Sequence, residues 1–97
     1  MATVKVVTRV VAQTDKAEEV RDLLTALVEP TRGEPGCLGY ELLQNRSDPK
    51  DFAIVQEWES DAALEGHFES EHFRAAARNL TQRLDQVPDI RRYETIG

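Results

Sequence analysis

Residues 37–58 contain two segments of alternating apolar and polar side chains joined by a turn, in the sequence CLGYELLQNRSDPKDFAIVQEW. The segments Cys37–Gln44 and Phe52–Trp58 have the period of a β-strand, in which every second side chain lies on the same face. Between them, Asp48 and Pro49 suit the first two positions of a type I turn. We therefore expect an antiparallel hairpin. Its alternating apolar positions are Leu38, Tyr40, Leu42, Phe52, Ile54 and Trp58.

The first segment of the chain, Thr3–Gln13, is rich in β-branched residues and predicts a strand with two partly apolar faces. Val7 and Val11 lie opposite the main apolar face. Helices cover only one face of the sheet in a small α+β domain, so the second apolar face needs another layer, which a second subunit can supply. The main apolar face carries Val4, Val6, Val10 and Ala12.

A helix is expected to follow this strand. Asp15 and Glu18 have the spacing of a capping box, in which each side chain bonds to a free N–H of the first turn. Pro30 comes after the apolar pattern, and Gly33 marks the latest end of the helix. The residues at helical spacing are Ala17, Val20, Leu24, Leu27 and Val28.

After the hairpin, Ser60 can cap a short helix over Asp61–Phe68. A second helix is predicted over Glu71–Gln86, where Pro88 ends the helical pattern, and Asp89–Ile96 is predicted to be the last strand. The apolar stripe of the second helix contains Phe73, Ala76, Ala77, Leu80, Leu84 and Val87.

The order strand, helix, strand, strand, helix, strand predicts a ferredoxin-like α+β fold, βαββαβ, as a single domain over residues 1–97. Right-handed crossovers place both helices on one face of a four-stranded antiparallel sheet. A chain of 97 residues buries a thin core, so we expect a homodimer that covers the other face of the sheet.

Composition excludes several classes of function. The net charge is -6 without a basic run, so nucleic acid is not an expected partner. No segment has the length and apolarity of a membrane span or a secretory signal, so we expect no membrane partner and a cytoplasmic protein. The single cysteine, Cys37, excludes an internal disulfide framework, and we assign it no role.

Two histidines are the candidate catalytic residues. His67 follows Leu64 by three residues on the apolar side of its helix, where burial and neighbours tune a pKa near 6.5 for a base. His72 opens the next helix, where its ring can reach a cavity beneath Phe73. The alternatives are a hydrogen-bonded structural role for His67 and a helix-capping role for His72.

A metal site at these histidines is not expected. On a continuous helix, a spacing of five residues turns the two rings apart, unlike the i, i+4 pair of a zinc helix, although a break between the two helices could bring them together. The neighbouring Glu65, Glu69 and Glu71 are typical of a solvated helix face. Trp58, Tyr40 and Tyr93 can line a pocket, although aromatics on short strands are also typical core residues.

The chain resembles the antibiotic biosynthesis monooxygenase family from its first strand through its second helix. The resemblance implies a dimeric α+β barrel, in which two ferredoxin-like sheets pack face to face, with a ligand cavity between sheet and helices in each subunit. The residues that carry it are Glu34–Cys37, Tyr40–Leu42, Asp48–Pro49, Phe52, Glu57–Glu59, Ala63–Leu64, His67 and His72–Phe73.

Characterised members of this family include monooxygenases of phenols, quinols and anthrones that use molecular oxygen without metal, flavin or nicotinamide. The resemblance therefore implies an oxidoreductase that needs no cofactor and acts on a small electron-rich aromatic. By position, His67 and His72 are the base or anion-stabilising groups. The implied pocket residues are Trp58 and Phe73 as walls, with Thr8 and Tyr40 reaching the cavity from the sheet.

Three other functions occur on similar folds. Haem degradation is not expected, because Thr8, His67 and Ala77 occupy the places where that branch has Asn, Trp and an iron-binding His. An isomerase of a phosphorylated sugar would need cationic groups in the cavity. A non-catalytic module for ligand binding or dimerisation would have a filled interior, with the histidines in capping bonds.

Overall fold

A computed structural model describes residues 3–97; Met1 and Ala2, which the predicted domain includes, lie outside the described residues. The elements are β1 (Val4–Val11), α1 (Ala17–Arg32), β2 (Cys37–Gln44), β3 (Asp51–Trp58), α2 (Asp61–Glu69), α3 (Glu71–Leu80), a 3₁₀ turn (Thr81–Arg83) and β4 (Asp89–Tyr93). The strands form one antiparallel sheet in the order β2-β3-β1-β4. This confirms the ferredoxin-like α+β fold.

The core lies between the helices and one face of the sheet, and a band of buried polar residues divides it in two. Thr8 lies between the two clusters on β1, while Gln56 and His67 are also buried. Because most buried side chains are apolar, such a band inside a core indicates a site rather than packing. The larger cluster contains Val10, Ala12, Val20, Leu24, Tyr40, Phe52, Ile54, Leu80 and Leu84. The smaller contains Val6, Trp58 and Leu64.

The hairpin of β2 and β3 confirms the expected bounds of β2 and the expected turn, and β3 begins one residue earlier than expected, at Asp51. The backbone N–H of Asp51 donates to the carbonyl of Asp48 at 3.1 Å, which closes the turn around Pro49. A β-bulge shifts the register between Cys37 and Gly39. The bulge turns Leu38 outward, 56% exposed, so its expected alternation with Tyr40 was wrong there.

The predicted capping box of Asp15 and Glu18 was wrong. The helix α1 begins at Ala17, and its N-cap residue Lys16 makes no side-chain capping bond. The N–H of Lys16 donates instead to the carbonyl of Gln13 at 3.0 Å, so Asp15 belongs to a turn before the helix. The helix continues through Pro30 and ends before Gly33, within the expected limit.

The predicted helix Glu71–Gln86 was too long, because the backbone after Arg83 pairs with the end of β1. The N–H of Asp85 donates to the carbonyl of Val11 at 2.8 Å, and residue 84 is extended. Leu84 is nevertheless buried, through a bridge to Ala12, whereas Val87 is 86% exposed and was wrongly assigned to the apolar stripe. The last strand is also shorter than expected and ends at residue 93.

None of the helices over residues 3–97 is long and apolar enough to cross a membrane. The cytoplasmic location expected from the sequence stays a prediction.

Gly36 lies in the loop between α1 and β2, at a position that does not accommodate a side chain. Its φ is +83°, and a Cβ placed on it would lie 2.6 Å from the Cβ of Ala63. We expect Gly36→Ala to lower the free energy of unfolding by about 2–4 kcal/mol through strain and overpacking. Urea unfolding checks this, with Gly39→Ala as the matched control, since the nearest atom to its added Cβ lies 4.0 Å away. Equal effects of the two substitutions would contradict it.

Candidate functional site

A cavity of about 410 Å³ lies between the sheet and the helices and contains the buried polar band. Its walls are mainly apolar, and Thr8, Gln56 and His67 supply polar groups. Such a cavity, with few polar groups, suits a small organic ligand. Another depression of about 410 Å³, along α1 and β2, contains none of the expected site residues.

Three side chains meet at one side of this cavity, around the carboxylate of Glu34. Its Oε2 lies 2.8 Å from Nδ1 of His67 and 2.5 Å from Nε2 of His72. Glu34 comes from the loop between α1 and β2, and the histidines come from α2 and α3. The rings are close because the helix breaks at Ser70, whose Oγ donates to the carbonyl of His67 and accepts from the N–H of Phe73.

These contacts determine which ring nitrogen of His67 a ligand can use. A carboxylate oxygen accepts hydrogen bonds, so Nδ1 of His67 and Nε2 of His72 each donate a hydrogen to Glu34. In a neutral His67, the other nitrogen, Nε2, then carries the lone pair. The ring of His67 lines the cavity. It is thus a base with its tautomer set by a carboxylate, as in a catalytic Asp–His pair.

The charge state of His67 favours this role. Burial lowers the pKa of His67, and the hydrogen bond and negative charge of Glu34 oppose that effect only in part. His67 is 1% exposed, which accounts for the desolvation. The imidazole is therefore neutral near pH 7, with Nε2 able to take a proton.

Glu34, His67 and His72 also form the group of three possible metal ligands that the structure brings together, with all donor atoms within 4.8 Å. Donors bound to one metal at 2.0–2.1 Å and at tetrahedral or octahedral angles lie about 3 Å apart. The separations of 2.8 and 2.5 Å to Glu34 are those of hydrogen bonds. As folded, the three residues form a hydrogen-bonded network, and the acidic partner is Glu34 rather than the helix carboxylates.

Three of the four residues expected to form the pocket line the cavity, and the fourth lies outside its lining. Thr8, Tyr40 and Phe73 line the cavity. Trp58, expected as a wall, is fully buried outside the lining, with its ring centroid 4.9 Å from that of His67. His72 is also outside the lining and reaches the site through Glu34, with 30% of its side chain exposed. The functional roles of the two histidines stay predictions.

Sequence reasoning assigned no role to Glu34 and Gln56. Glu34 was noted only as part of the family signature, because its partners are 33 and 38 residues away along the chain. Gln56 had a recognisable signal: it takes the inward position between Ile54 and Trp58 on β3. A polar residue at such a position is informative because it is costly to bury.

Comparison with known proteins agrees with this architecture. The profile of the antibiotic biosynthesis monooxygenase family matches residues 3–79. The chain is 30% identical over 80 residues to the Synechocystis protein sll1783, covering 82% of this chain but only 54% of that protein. It is 28% identical over 80 residues to YcnE of Bacillus subtilis, named as a proposed monooxygenase, covering 82% of this chain and 84% of YcnE. The crystal structure of PA3566 from Pseudomonas aeruginosa superposes with a TM-score of 0.95 at 33% identity, over 100% of this chain and 97% of that one.

Proposed function

Because the chain belongs to the antibiotic biosynthesis monooxygenase family, we propose that it oxidises a small electron-rich aromatic with molecular oxygen and without metal, flavin or nicotinamide. Phenols, quinols and anthrones are the substrate types. One observation carries the proposal: His67 lines a mainly apolar cavity while Glu34 holds its Nδ1, which leaves Nε2 as a base.

In the proposed reaction, Nε2 of His67 takes the acidic proton of the substrate, and Glu34 stabilises the imidazolium. The resulting anion supplies the electrons to oxygen. The substrate gains one oxygen atom and loses two hydrogens, which leave with the other oxygen atom as water, so no external reductant is needed. The apolar walls exclude bulk water from the reactive intermediates.

His72 is proposed to connect this base with solvent. It bonds to the same oxygen of Glu34 as His67, but its side chain is 30% exposed. A proton taken up at Nε2 of His67 can leave by this route if Nδ1 passes its hydrogen to Glu34 and His72, after exchanging its hydrogen with solvent to the Nδ1–H tautomer, accepts that hydrogen at Nε2. The proposed role of His72 is therefore to stabilise the network around Glu34 and not to contact the substrate.

Oxygen uptake by the metal-stripped protein tests the proposal. A panel of hydroquinones, naphthols and anthrones is assayed, with the spontaneous rate subtracted. We expect saturable uptake with at least one substrate that is unchanged by a chelator. Uptake that disappears with the chelator and returns with a metal ion would contradict the cofactor-free mechanism, and its absence across the panel would favour another function.

The alternative functions have less support. A phosphorylated sugar needs cationic side chains, and no Arg or Lys is among the described residues that line the cavity. A non-catalytic module was expected to have a filled interior and histidines in capping bonds. The cavity of about 410 Å³ and the two bonds to Glu34 favour the enzyme instead.

A face-to-face homodimer is proposed because the outer face of the sheet carries exposed apolar side chains. Val7 is 38% exposed and lies opposite Val55 in the register of β1 and β3. Leu43 and Tyr93, 46% and 49% exposed, lie on the same face. Burying such a face in a second copy supplies apolar area that a chain of this size lacks.

We expect Val7→Lys to convert the dimer to a monomer, because it adds a positive charge to the apolar contact at a position where Arg91 lies opposite and Lys5 and Arg9 flank it on the same face. Sedimentation equilibrium checks this, and the dissociation constant should increase by at least about 100-fold, as for the loss of a hot-spot residue. Asn79→Lys, which adds the same charge to the exposed side of α3, is the control. A wild-type monomer, or a Val7→Lys dimer of unchanged affinity, would contradict the proposal.

A further inference from the structure

Gln56 has an amide whose orientation is determined by its neighbour on β3. The indole Nε1 of Trp58 lies 2.8 Å from Oε1 of Gln56. An indole nitrogen is only a donor, so the atom that faces it must be the amide oxygen. The amide nitrogen, Nε2, is therefore directed away from Trp58, and the usual ambiguity between the two atoms does not arise.

The polar groups at the sheet side of the cavity then have an excess of donors. Nε2 of Gln56 has two hydrogens, and its one partner among residues 3–97 is Oγ1 of Thr8, at 3.4 Å. Because Thr8 accepts that long bond, its own hydroxyl hydrogen remains to donate. Gln56 is 4% exposed and Thr8 is 7% exposed, and both line the cavity.

An unused donor in an apolar cavity is unfavourable until a ligand supplies an acceptor. The opposite requirement holds at His67, where Nε2 accepts a hydrogen from the ligand. His67 thus offers an acceptor on the helix side of the cavity, and Gln56 and Thr8 offer two donors on its sheet side. This pattern selects a ligand with two different oxygen functions.

We infer that Gln56 and Thr8 form a binding subsite for a carbonyl or oxyanion oxygen, so that the preferred substrate is an aromatic that carries a ketone in addition to its acidic group. Trp58 is the positioning residue of this subsite, because it holds the amide oxygen and so leaves the amide hydrogen that Thr8 does not accept to the ligand. The inference rests on the proposed function, since it places the substrate in the same cavity.

Two naphthols of matched shape test the subsite by binding alone. 6-Acetyl-2-naphthol carries a ketone, and 6-ethyl-2-naphthol does not; their fluorescence reports binding in the absence of oxygen. The wild-type protein should bind the ketone about tenfold more tightly, as expected for one net hydrogen bond in a buried site. Gln56→Met, of similar shape but without donors, should remove this preference and leave binding of the ethyl compound within about twofold.

Thr8→Val is a second variant that keeps the inference testable if Gln56→Met fails to fold, and it should lower the preference in part. Trp58→Phe should do the same, because the amide is then free to turn. Equal wild-type affinity for both naphthols would overturn the subsite and leave the proposed oxygenase standing. A Gln56→Met protein that loses affinity for both compounds equally would also overturn it. Failure of the wild-type protein to bind either naphthol would also overturn the subsite, whereas the oxygen-uptake panel decides the proposed oxygenase separately.

Discussion

His67→Ala should lower kcat/KM for oxygen uptake with an acidic phenol by about 10²–10⁴-fold, the usual contribution of a positioned general base. Nε2 of His67 is the ring nitrogen left free by Glu34, and the ring lines the cavity. Removing it deprives the substrate of its proton acceptor. Uptake measured with phenols of increasing acidity checks this, since a phenol that is already ionised in solution should lose the least.

Loss of the base must be distinguished from loss of folded protein in His67→Ala, because His67 is buried and contacts both Trp58 and Phe73. Added imidazole should restore part of the activity of His67→Ala by filling the space of the lost ring. Phe73→Leu, which alters the wall of the cavity without removing a titratable group, should change KM more than kcat. Full activity in His67→Ala, or a loss matched by unfolding and not rescued by imidazole, would show that the ring is structural.

The pH dependence of the wild-type protein follows from the same residue. Burial lowers the pKa of His67, so the base form persists below the ordinary value of about 6.5. We expect kcat/KM to be constant near neutrality and to fall only at lower pH. The lowered pKa also means that the unfolded chain binds a proton more readily. Its contribution to stability is therefore present above about pH 6.5 and is lost as the pH falls through the folded-state pKa.

Glu34→Gln should lower kcat/KM by about 10–100-fold and shift its acid limb to lower pH. The Glu34 carboxylate raises the pKa of His67 through a hydrogen bond and its charge, against the larger effect of burial. The amide removes that charge, and because it can also turn its NH2 group toward the rings, it fixes the tautomer of His67 less firmly than the carboxylate does. His67 then becomes a weaker base.

A pH profile distinguishes this positioning role from a structural one, because simple loss of folded protein would scale the profile without moving it. Breaking the buried network should also lower the free energy of unfolding by about 1–3 kcal/mol, measured in urea. Glu59→Gln is the control: it removes the same charge from an exposed position near Gly36. An unchanged acid limb in Glu34→Gln would contradict the role assigned to Glu34.

The wrong predictions at Asp15 and Val87 share one cause. Asp15 and Val87 have the right spacing for a helix cap and a helix stripe, but backbone groups next to them bond to more distant segments instead. The N–H groups of residues 13 and 85 pair across the end of β1 and the turn after α3. The spacing of residues along the chain does not reveal this competition between helical and non-helical hydrogen bonds. Its outcome depends on which strand end lies nearby in the folded chain.

By itself, the sequence determined the order of the elements, the hairpin, and the inward positions of Tyr40, Ile54 and Trp58, because side-chain periodicity is a local property of the backbone. Only the tertiary structure decided what the inward polar residues do. The loop after α1 brings Glu34 to two histidines that are 33 and 38 residues distant, and the break at Ser70 turns both rings toward it. These contacts, like the donor from Trp58 that orients Gln56, depend on three-dimensional distance and hydrogen-bond direction, which residue spacing does not specify.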